Sequence, residues 1–326
     1  NRREDVGIRF TERIVTTHIF EPGEEELLLY NRLLDYLINE NQRIDMVSDP
    51  RNRLTEKFKL MLLEREVVSS PEAIKPTLMK FSSEEEDPEK KLLLDELYDM
   101  ADDIKSVTKA ENLKKIMESV DNDIIVFTQF IATQEFLSGI LSDAGFDIHL
   151  FNGNMSSQEK EVVINEFKRK GGILICTDSG SEGRNLQFCN ILINYDLPWN
   201  PMRVEQRIGR IHRIGQERDV HVLNFALKNT IEEYILATLY EKIDLVKTAI
   251  GEMDLILSNI SSNMSIERRI FELSLKIKNK KEFESKFEKF CKDIKRAKEI
   301  AEKIRAFDRK VLESFDLSYI LQEGED

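Results

Sequence analysis

"DIIVFTQF", residues 123–130, marks a change in the period of the sequence. Before it, apolar residues recur every three or four positions, the spacing of amphipathic helices. Here Ile124–Phe127 form an unbroken apolar run that ends in Thr128 and Gln129. Such a run, closed by polar residues, predicts a strand buried on both faces, as in a parallel sheet. The alternation repeats toward the C-terminus. "ATQEFLSGILSDAG" reads as an amphipathic helix stopped at Gly145, and "FDIHLFNG" as strand and turn. "SSQEKEVVINEFKRKGG" reads as a helix capped by Ser156 or Ser157 and closed at Gly171-Gly172. "ILICTD", "NILINYDLP" and "DVHVLNFAL" read as further strands. Strands alternating with helices of about 10–15 residues predict βαβ units, hence an α/β fold with a parallel sheet flanked by helices. Ligands bind such sheets at the carboxyl ends of the strands. Those ends are Thr128-Gln129, Asn152-Gly153, Thr177-Asp178 and Asp196.

Both flanks are helical in pattern. "ERIVTTHIF" alternates like a strand, Pro22-Gly23 is a turn, and "EEELLLYNRLLDYLI" reads as a helix. A second helix is expected over 53–67 and a third starts at Ser69-Ser70-Pro71, where serine can cap and proline suits the first helical position. After a charged surface segment at 82–91, a helical pattern runs from Leu92 to about Met117, broken near 106–108. After Thr230 the chain reads as helix to near its end, beginning with the amphipathic stretch 231–257. Phe283, Phe287, Phe290, Ile294, Ala297, Ala301 and Ile304 have heptad spacing. Ile266, Ile270, Leu273 and Ile277 are one residue out of phase with them, across "KNKK" at 278–281. A helical hairpin or a broken coiled coil fits, either as a domain cap or as a partner-binding arm. The expected organisation is a lead-in and helical insertion over 1–106, an α/β lobe over 107–260 and a helical tail over 261–326.

Composition narrows the function. The chain carries 48 Lys and Arg against 61 Asp and Glu, a net charge of −13, so it is a poor generic nucleic-acid binder. The acids concentrate at 81–123, away from the arginines of 203–218. The 3 cysteines and 4 histidines show no metal-ligand or disulfide spacing, and the unpatterned cysteines fit a reducing, cytoplasmic setting. No apolar run approaches the ~18 residues of a membrane span. The N-terminus is neither a signal peptide nor a methionine start, which predicts a fragment or a processed chain.

The chemistry is carried by "VEQRIGRIHRIGQ" (204–216). Asn200-Pro201 is a helix start. Val204, Ile208 and Ile211 then share one face, predicted to meet the core, while Gln206, Arg210 and Arg213 share another at the same spacing. The rigid guanidinium fork suits a polyphosphate better than a lysine does. From spacing alone a solvated basic helix fits equally well. In "CTDSGSEGRNLQF" (176–188) a strand end leads into a loop with Gly180 and Gly183, whose backbone amides could approach an anion. An ordinary glycine- and serine-rich loop fits there too.

Taken together and in order, "DIIVFTQF", "FNGNMSSQEK", "ILICTDSGSEGRNLQFCNILINYDLPWNP" and "VEQRIGRIHRIGQ" resemble motifs IV, IVa, V and VI of the second RecA-like lobe of superfamily-two helicases. "YDLPWNP…QRIGRIHRIGQ" resembles the Swi/Snf-type translocases, and "SEGRNLQF" the bacterial RNA-polymerase-associated RapA/HepA branch. "SSPEAI" and residues 230–254 match flanking features of that branch, and "NRREDV" resembles a segment leaving a first lobe. The resemblance covers roughly 60–260 and leaves the tail out. It implies a RecA-like sheet in a DNA-dependent ATPase. By that resemblance Arg210 and Arg213 are arginine fingers, and Gln206, Gly183 and Asn185 serve the nucleotide. Thr128, Gln129, Asn152, Gly153 and Thr177 contact the tracked strand. Trp199 beside the cap would pack or touch a base, and Arg207 would be structural or face DNA. The implied ligands and partners are ATP with Mg2+, double-stranded DNA, an N-terminal RecA-like lobe in cis or in trans, and RNA polymerase or another complex.

One part of such a motor is not encoded here. A P-loop needs G-x-x-x-x-G-K-[ST], and none of the 13 glycines precedes a lysine. The acidic motif D-E-x-H is also lacking; Asp95-Glu96 lies in a leucine-rich helical stretch. The expectation is half of an active site, inactive alone. The competing expectation is a non-catalytic RecA-like scaffold that binds a protein partner through its helical extensions.

Overall fold

The computed structural model describes residues 11–120, 122–181, 185–213, 215–236, 256 and 265–314. The chain divides into two compact units, Asn1–Ala237 and Thr238–Asp326. The expected segment before residue 11, Gly183 and most of the expected helix 231–257 lie outside the described residues.

The first unit is built on a parallel sheet of six strands: β1 (Arg13–Phe20), β2 (Ile124–Thr128), β3 (Ile148–Phe151), β4 (Ile173–Thr177), β5 (Ile191–Asn194) and β6 (Val220–Leu227). Their order is β1-β6-β5-β2-β4-β3, and every pairing is parallel. All residues of β2 and β4 are buried, as their unbroken apolar runs require. The lead-in strand β1 joins the edge of this same sheet, pairing with β6 from Arg13↔Val220 to Phe20↔Leu227. β3 and β4 lie on one side of β2, and β5, β6 and β1 on the other. The chain therefore reverses direction across the sheet at β2 and β5, and the carboxyl ends of these two strands flank the crevice where such folds bind ligands.

Between β1 and β2 run α1 (Glu24–Asp45), α2 (Pro50–Ser69), α3 (Pro71–Glu84), α4 (Pro88–Asp103) and α5 (Thr108–Ser119). The starts of α2, α3 and α4 share one device. A side chain of Asp49, Ser70 or Asp87 accepts a backbone N–H of the first turn, and a proline takes the first helical position. The α2–α3 junction falls at the expected Ser69-Ser70-Pro71, and the helical pattern breaks at 104–107, as read. In the α/β part, α6 (Ile131–Asp143) ends before Gly145, whose φ of 89° suits glycine alone. α7 (Ser157–Lys170) is capped by Ser156, with Glu159 reaching back to complete the capping box. The short α8 (Asp178–Ser181), α9 (Pro201–Ile208) and α10 (Ile231–Ile235) complete the described helices of this unit.

In the second unit, α11 (Ile266–Ser274) and α12 (Lys280–Ser314) are separate helices joined by the turn at 275–279. Ile266, Ile270, Leu273, Phe283, Phe290, Ile294, Ala297 and Ala301 are buried, while Ile304 is exposed. An Arg269–Asp293 ion pair at 2.5 Å joins the two helices, and the Arg269 guanidinium lies 5.0 Å from the Phe290 ring centre. Of the two expected arrangements, the helical pair is the one observed.

Candidate functional site

The arginine-bearing segment starts as expected. Asn200 accepts the Met202 N–H at 3.0 Å, Pro201 opens α9, and Val204, Ile208 and Ile211 are buried as one apolar stripe. A second clamp is electrostatic. Arg13 of β1 makes a two-pronged pair with the buried carboxylate of Glu205. Charge-assisted forks of this kind fix orientation as well as position. Gln206 and Arg213 are exposed and Arg210 is half-buried.

The geometry departs from the expected single helical face. α9 ends at Ile208, so Gln206 alone of the three lies on regular helix. The chain continues through Gly209 in tight turns, with Arg210 N–H donating to Arg207 O and Ile211 N–H to Ile208 O, each at 3.0 Å. Leu186 N–H donates to Arg210 O at 3.0 Å and holds that carbonyl on the 185–190 loop. Gln216 locks the same junction. Its buried amide donates to Gln187 O, Cys189 O and Ile211 O at 2.8–3.1 Å. Asn185, which bonds Gln187 through both its carbonyl and its amide, is thus brought beside the Arg210 turn. Arg213 folds back so that its Nε donates to Gly209 O.

Arg207 is not DNA-facing. It is only 2% exposed; Nε meets Asp178 Oδ1 at 2.6 Å, and Nη1 donates to Asn194 Oδ1 and Asp196 O. Its guanidinium also packs 5.2 Å from the Phe127 ring centre. Trp199 is buried, so packing is its role in the described fold.

At the crevice, Thr128 is wholly buried and donates to Asp196 Oδ2 at 2.5 Å. Gln129 is half-buried; its backbone N–H donates to the same oxygen at 2.9 Å, and Arg65 of α2 donates to its side-chain oxygen. On the other side of β2, Asn152 donates to Gln134 Oε1 and Gly153 lies against Ser179. Thr177 is buried with its hydroxyl 3.4 Å from that of Ser179. Gly180 makes this approach feasible, because a Cβ there would stand 2.7 Å from both Asn152 Cα and Phe151 O. Thr128, Gln129, Asn152, Gly153 and Thr177 therefore all lie at or just past the carboxyl ends of β2, β3 and β4. Gln129 and Asn152 are half-buried, whereas Thr128 and Thr177 are buried.

Beneath that edge lies a buried charge group that periodicity did not flag. Lys109 of α5 donates to Glu232 at 3.0 Å and to Tyr195 O at 3.0 Å, and lies 3.5 Å from Asp196 Oδ1. Burial pushes the Glu232 carboxyl up to about 7, against the opposing pull of Lys109. In the sequence Lys109 is one lysine of an amphipathic helix, with nothing local to mark its partners. Among the described residues no group of three or more His, Cys, Asp or Glu could hold a metal ion.

Residues 108–215 match the family model described as helicase conserved C-terminal domain. The chain carries a helicase conserved C-terminal domain. It is 41% identical over 266 residues to an uncharacterized ATP-dependent helicase of Bacillus subtilis, covering 81% of this chain and 46% of that protein. It is 37% identical over 134 residues to the RNA polymerase-associated protein RapA of Vibrio campbellii, covering 40% of this chain and 14% of RapA. The chain thus spans less than half the length of either relative. Among solved structures, the C-terminal part of the Fun30 ATPase domain is similar with a TM-score of 0.52 and 17% identity, over 69% of this chain and 88% of that one. That likeness supports the RecA-like fold. The helicase domain takes in β2 to β5, α9 and the arginine turn, so every sequence-derived site residue falls inside it. Among the described residues no helix is long and apolar enough to cross a membrane.

Proposed function

We propose that this chain is the second motor lobe of a DNA-dependent, Swi/Snf-type ATPase and supplies Arg210 and Arg213 as arginine fingers. The observation that carries this reading is the mounting of α9. The buried stripe of Val204, Ile208 and Ile211 and the Arg13–Glu205 fork fix the element from behind. They leave Gln206 and Arg213 in solvent and Arg210 half-buried at the turn. A helix that existed only for solubility would not need a buried fork at its back.

In this reading ATP and Mg2+ are held mainly by a P-loop lobe, joined in cis or acting in trans. Arg210 and Arg213 stabilise the negative charge that spreads over the transferred γ-phosphoryl group, an effect worth about 10³–10⁵ in rate. Gln206 contacts the nucleotide, with Gly183 and Asn185 lining its side of the cleft. The strand ends carrying Thr128, Gln129, Asn152, Gly153 and Thr177 hold the phosphate backbone of one DNA strand, which positions the duplex without reading its sequence. Closure of the two lobes on ATP and their reopening after hydrolysis then step the protein along that strand. The relatives' names support ATP use and make RNA polymerase a candidate partner. The domain division in this reading is an insertion over 1–106, a motor lobe over 107–260 and a tail over 261–326.

The test is ATP turnover with and without a P-loop lobe. This chain alone hydrolyses no ATP, and a P-loop lobe of the same family restores hydrolysis that duplex DNA stimulates. Turnover by the chain alone contradicts the reading.

A further inference from the structure

The crevice between β2 and β5 holds one carboxylate that organises groups from three separate stretches of chain. Asp196, 1% exposed, receives on Oδ2 the hydroxyl of Thr128 at 2.5 Å, the backbone N–H of Gln129 at 2.9 Å and the hydroxyl of Ser69 at 3.0 Å. Its other oxygen faces the Lys109 ammonium at 3.5 Å. Oδ1 accepts no hydrogen bond, so the three bonds on Oδ2 form the clamp and the Lys109 contact is electrostatic alone. Ser69 ends α2, and its hydroxyl also bonds Thr133 of α6 at 2.7 Å; Ser70 bonds that same hydroxyl at 2.7 Å. Through Asp196 the start of the β2–α6 loop is therefore tied to the helical insertion at its α2–α3 corner. Arg65, one turn before Ser69 on α2, adds a second tie to the same loop through the Gln129 side chain.

We propose that Asp196 is the positioning residue of the strand-contact loop. It sets the backbone of Gln129 for the DNA strand and transmits the position of α2 to that loop through Ser69. This rests on the reading of Gln129 as a nucleic-acid contact. The carboxylate itself touches no ligand, being closed in by Thr128, Ser69 and Lys109. The clamp acts by fixing one N–H and two hydroxyls, and an amide in place of the carboxylate retains one oxygen for that side. The amide's NH2 would then face the Lys109 ammonium, donor against donor, so Asp196→Asn keeps the clamp and severs the lysine contact. Asp196→Ala loses both.

Two measurements on the whole chain separate the clamp from its use. Hydrogen exchange at the Gln129 amide reports the clamp directly. It accelerates about tenfold or more in Asp196→Ala, the scale of one lost charge-assisted hydrogen bond, and stays within about threefold of the unsubstituted protein in Asp196→Asn. Ser69→Ala leaves the carboxylate in place and removes only the tie to α2. It accelerates the same amide about threefold while the protein stays folded, which keeps the test valid if Asp196→Ala does not fold. Fluorescence anisotropy with a short duplex at low salt reports the use, and affinity falls about tenfold in Asp196→Ala and is retained in Asp196→Asn. Unchanged Gln129 exchange in Asp196→Ala and Ser69→Ala overturns the clamp. Equal loss of affinity in Asp196→Ala and Asp196→Asn also overturns it, because charge rather than position would then be at stake. If the unsubstituted chain binds no duplex while Gln129 exchange still responds, the nucleic-acid reading fails and the clamp stands.

Discussion

Arg207 and Asp178 stand 2.6 Å apart, Nε to Oδ1, and join the helix that carries the arginine segment to the short α8 that follows β4. Two neighbouring arginines in one motif thus have opposite fates. Arg207 points inward and is almost wholly buried, whereas Arg213 is exposed. The pair also bridges the two sides of the crevice, since Asp178 follows Thr177 and the Arg207 Nη1 bonds Asp196 O at 2.8 Å.

Arg207→Ala removes this bridge and leaves the Asp178 carboxylate without it. Breaking a fully buried charge pair on one side costs about 3–5 kcal/mol; here Asp178 keeps some solvent and Arg203 at 3.8 Å, so the loss falls at or below the low end of that range. Urea unfolding of the variant is expected to show a loss on that scale. Arg207→Lys recovers only part of it, because a point charge cannot reach Asp178, Asn194 and the Asp196 carbonyl together.

Gly180→Ala places a Cβ 2.7 Å from Asn152 Cα and Phe151 O. The backbones after β3 and β4 must then move apart, a cost of about 1–3 kcal/mol. The variant is expected to melt at a lower temperature, and to weaken duplex binding more than Gly139→Ala does. Gly139 has nothing within 4 Å of the added methyl, so that variant isolates the close approach.

Glu66 of α2 predicts a pH dependence. Burial pushes its carboxyl up from the ordinary 4.5 to about 8, opposed by the Thr77 hydroxyl at 2.8 Å and by Arg65. Between those two values the folded state holds more protons at this site than the unfolded state, so stability falls as pH rises. The contribution is fully present below 4.5 and is lost as pH climbs through about 8. Glu66→Gln keeps the Thr77 contact and carries no charge. Unfolding free energies measured across this range are expected to slope less in Glu66→Gln than in the unsubstituted protein. Glu232 contributes in the same direction, with its upper limit at about 7.

Much of this fold was legible because its signals are local. The unbroken apolar runs of β2 and β4, the capping residues Ser70, Ser156 and Asn200, and the turn glycine Gly145 act over a few residues, and each falls where it was read. The resemblance to a helicase C-terminal lobe is matched by the domain over 108–215. The buried stripe on α9 was legible for the same reason. Its companion face was not, because the chain leaves the regular helix at Ile208 and continues in tight turns, with the Arg210 carbonyl held by the Leu186 N–H from twenty-four positions earlier. The Asp196 clamp and the Lys109–Glu232 pair were hidden by the same rule. Their partners are separated by as many as 127 positions, from Ser69 to Asp196, and no periodicity links them. Thr128 was marked correctly as a strand end, but whether its hydroxyl faces inward depends on the Asp196 side chain arriving from β5.

In the proposed motor an exposed arginine of this lobe completes a nucleotide site on another. Arg213→Ala tests it most directly. Arg213 is exposed, so the substitution is expected to change stability by no more than about 0.5 kcal/mol. The measurement is duplex-stimulated ATP hydrolysis by the chain together with its P-loop lobe, with and without that substitution. Turnover is expected to fall about 10³-fold or more with folding and duplex binding intact. Full turnover in Arg213→Ala would contradict it.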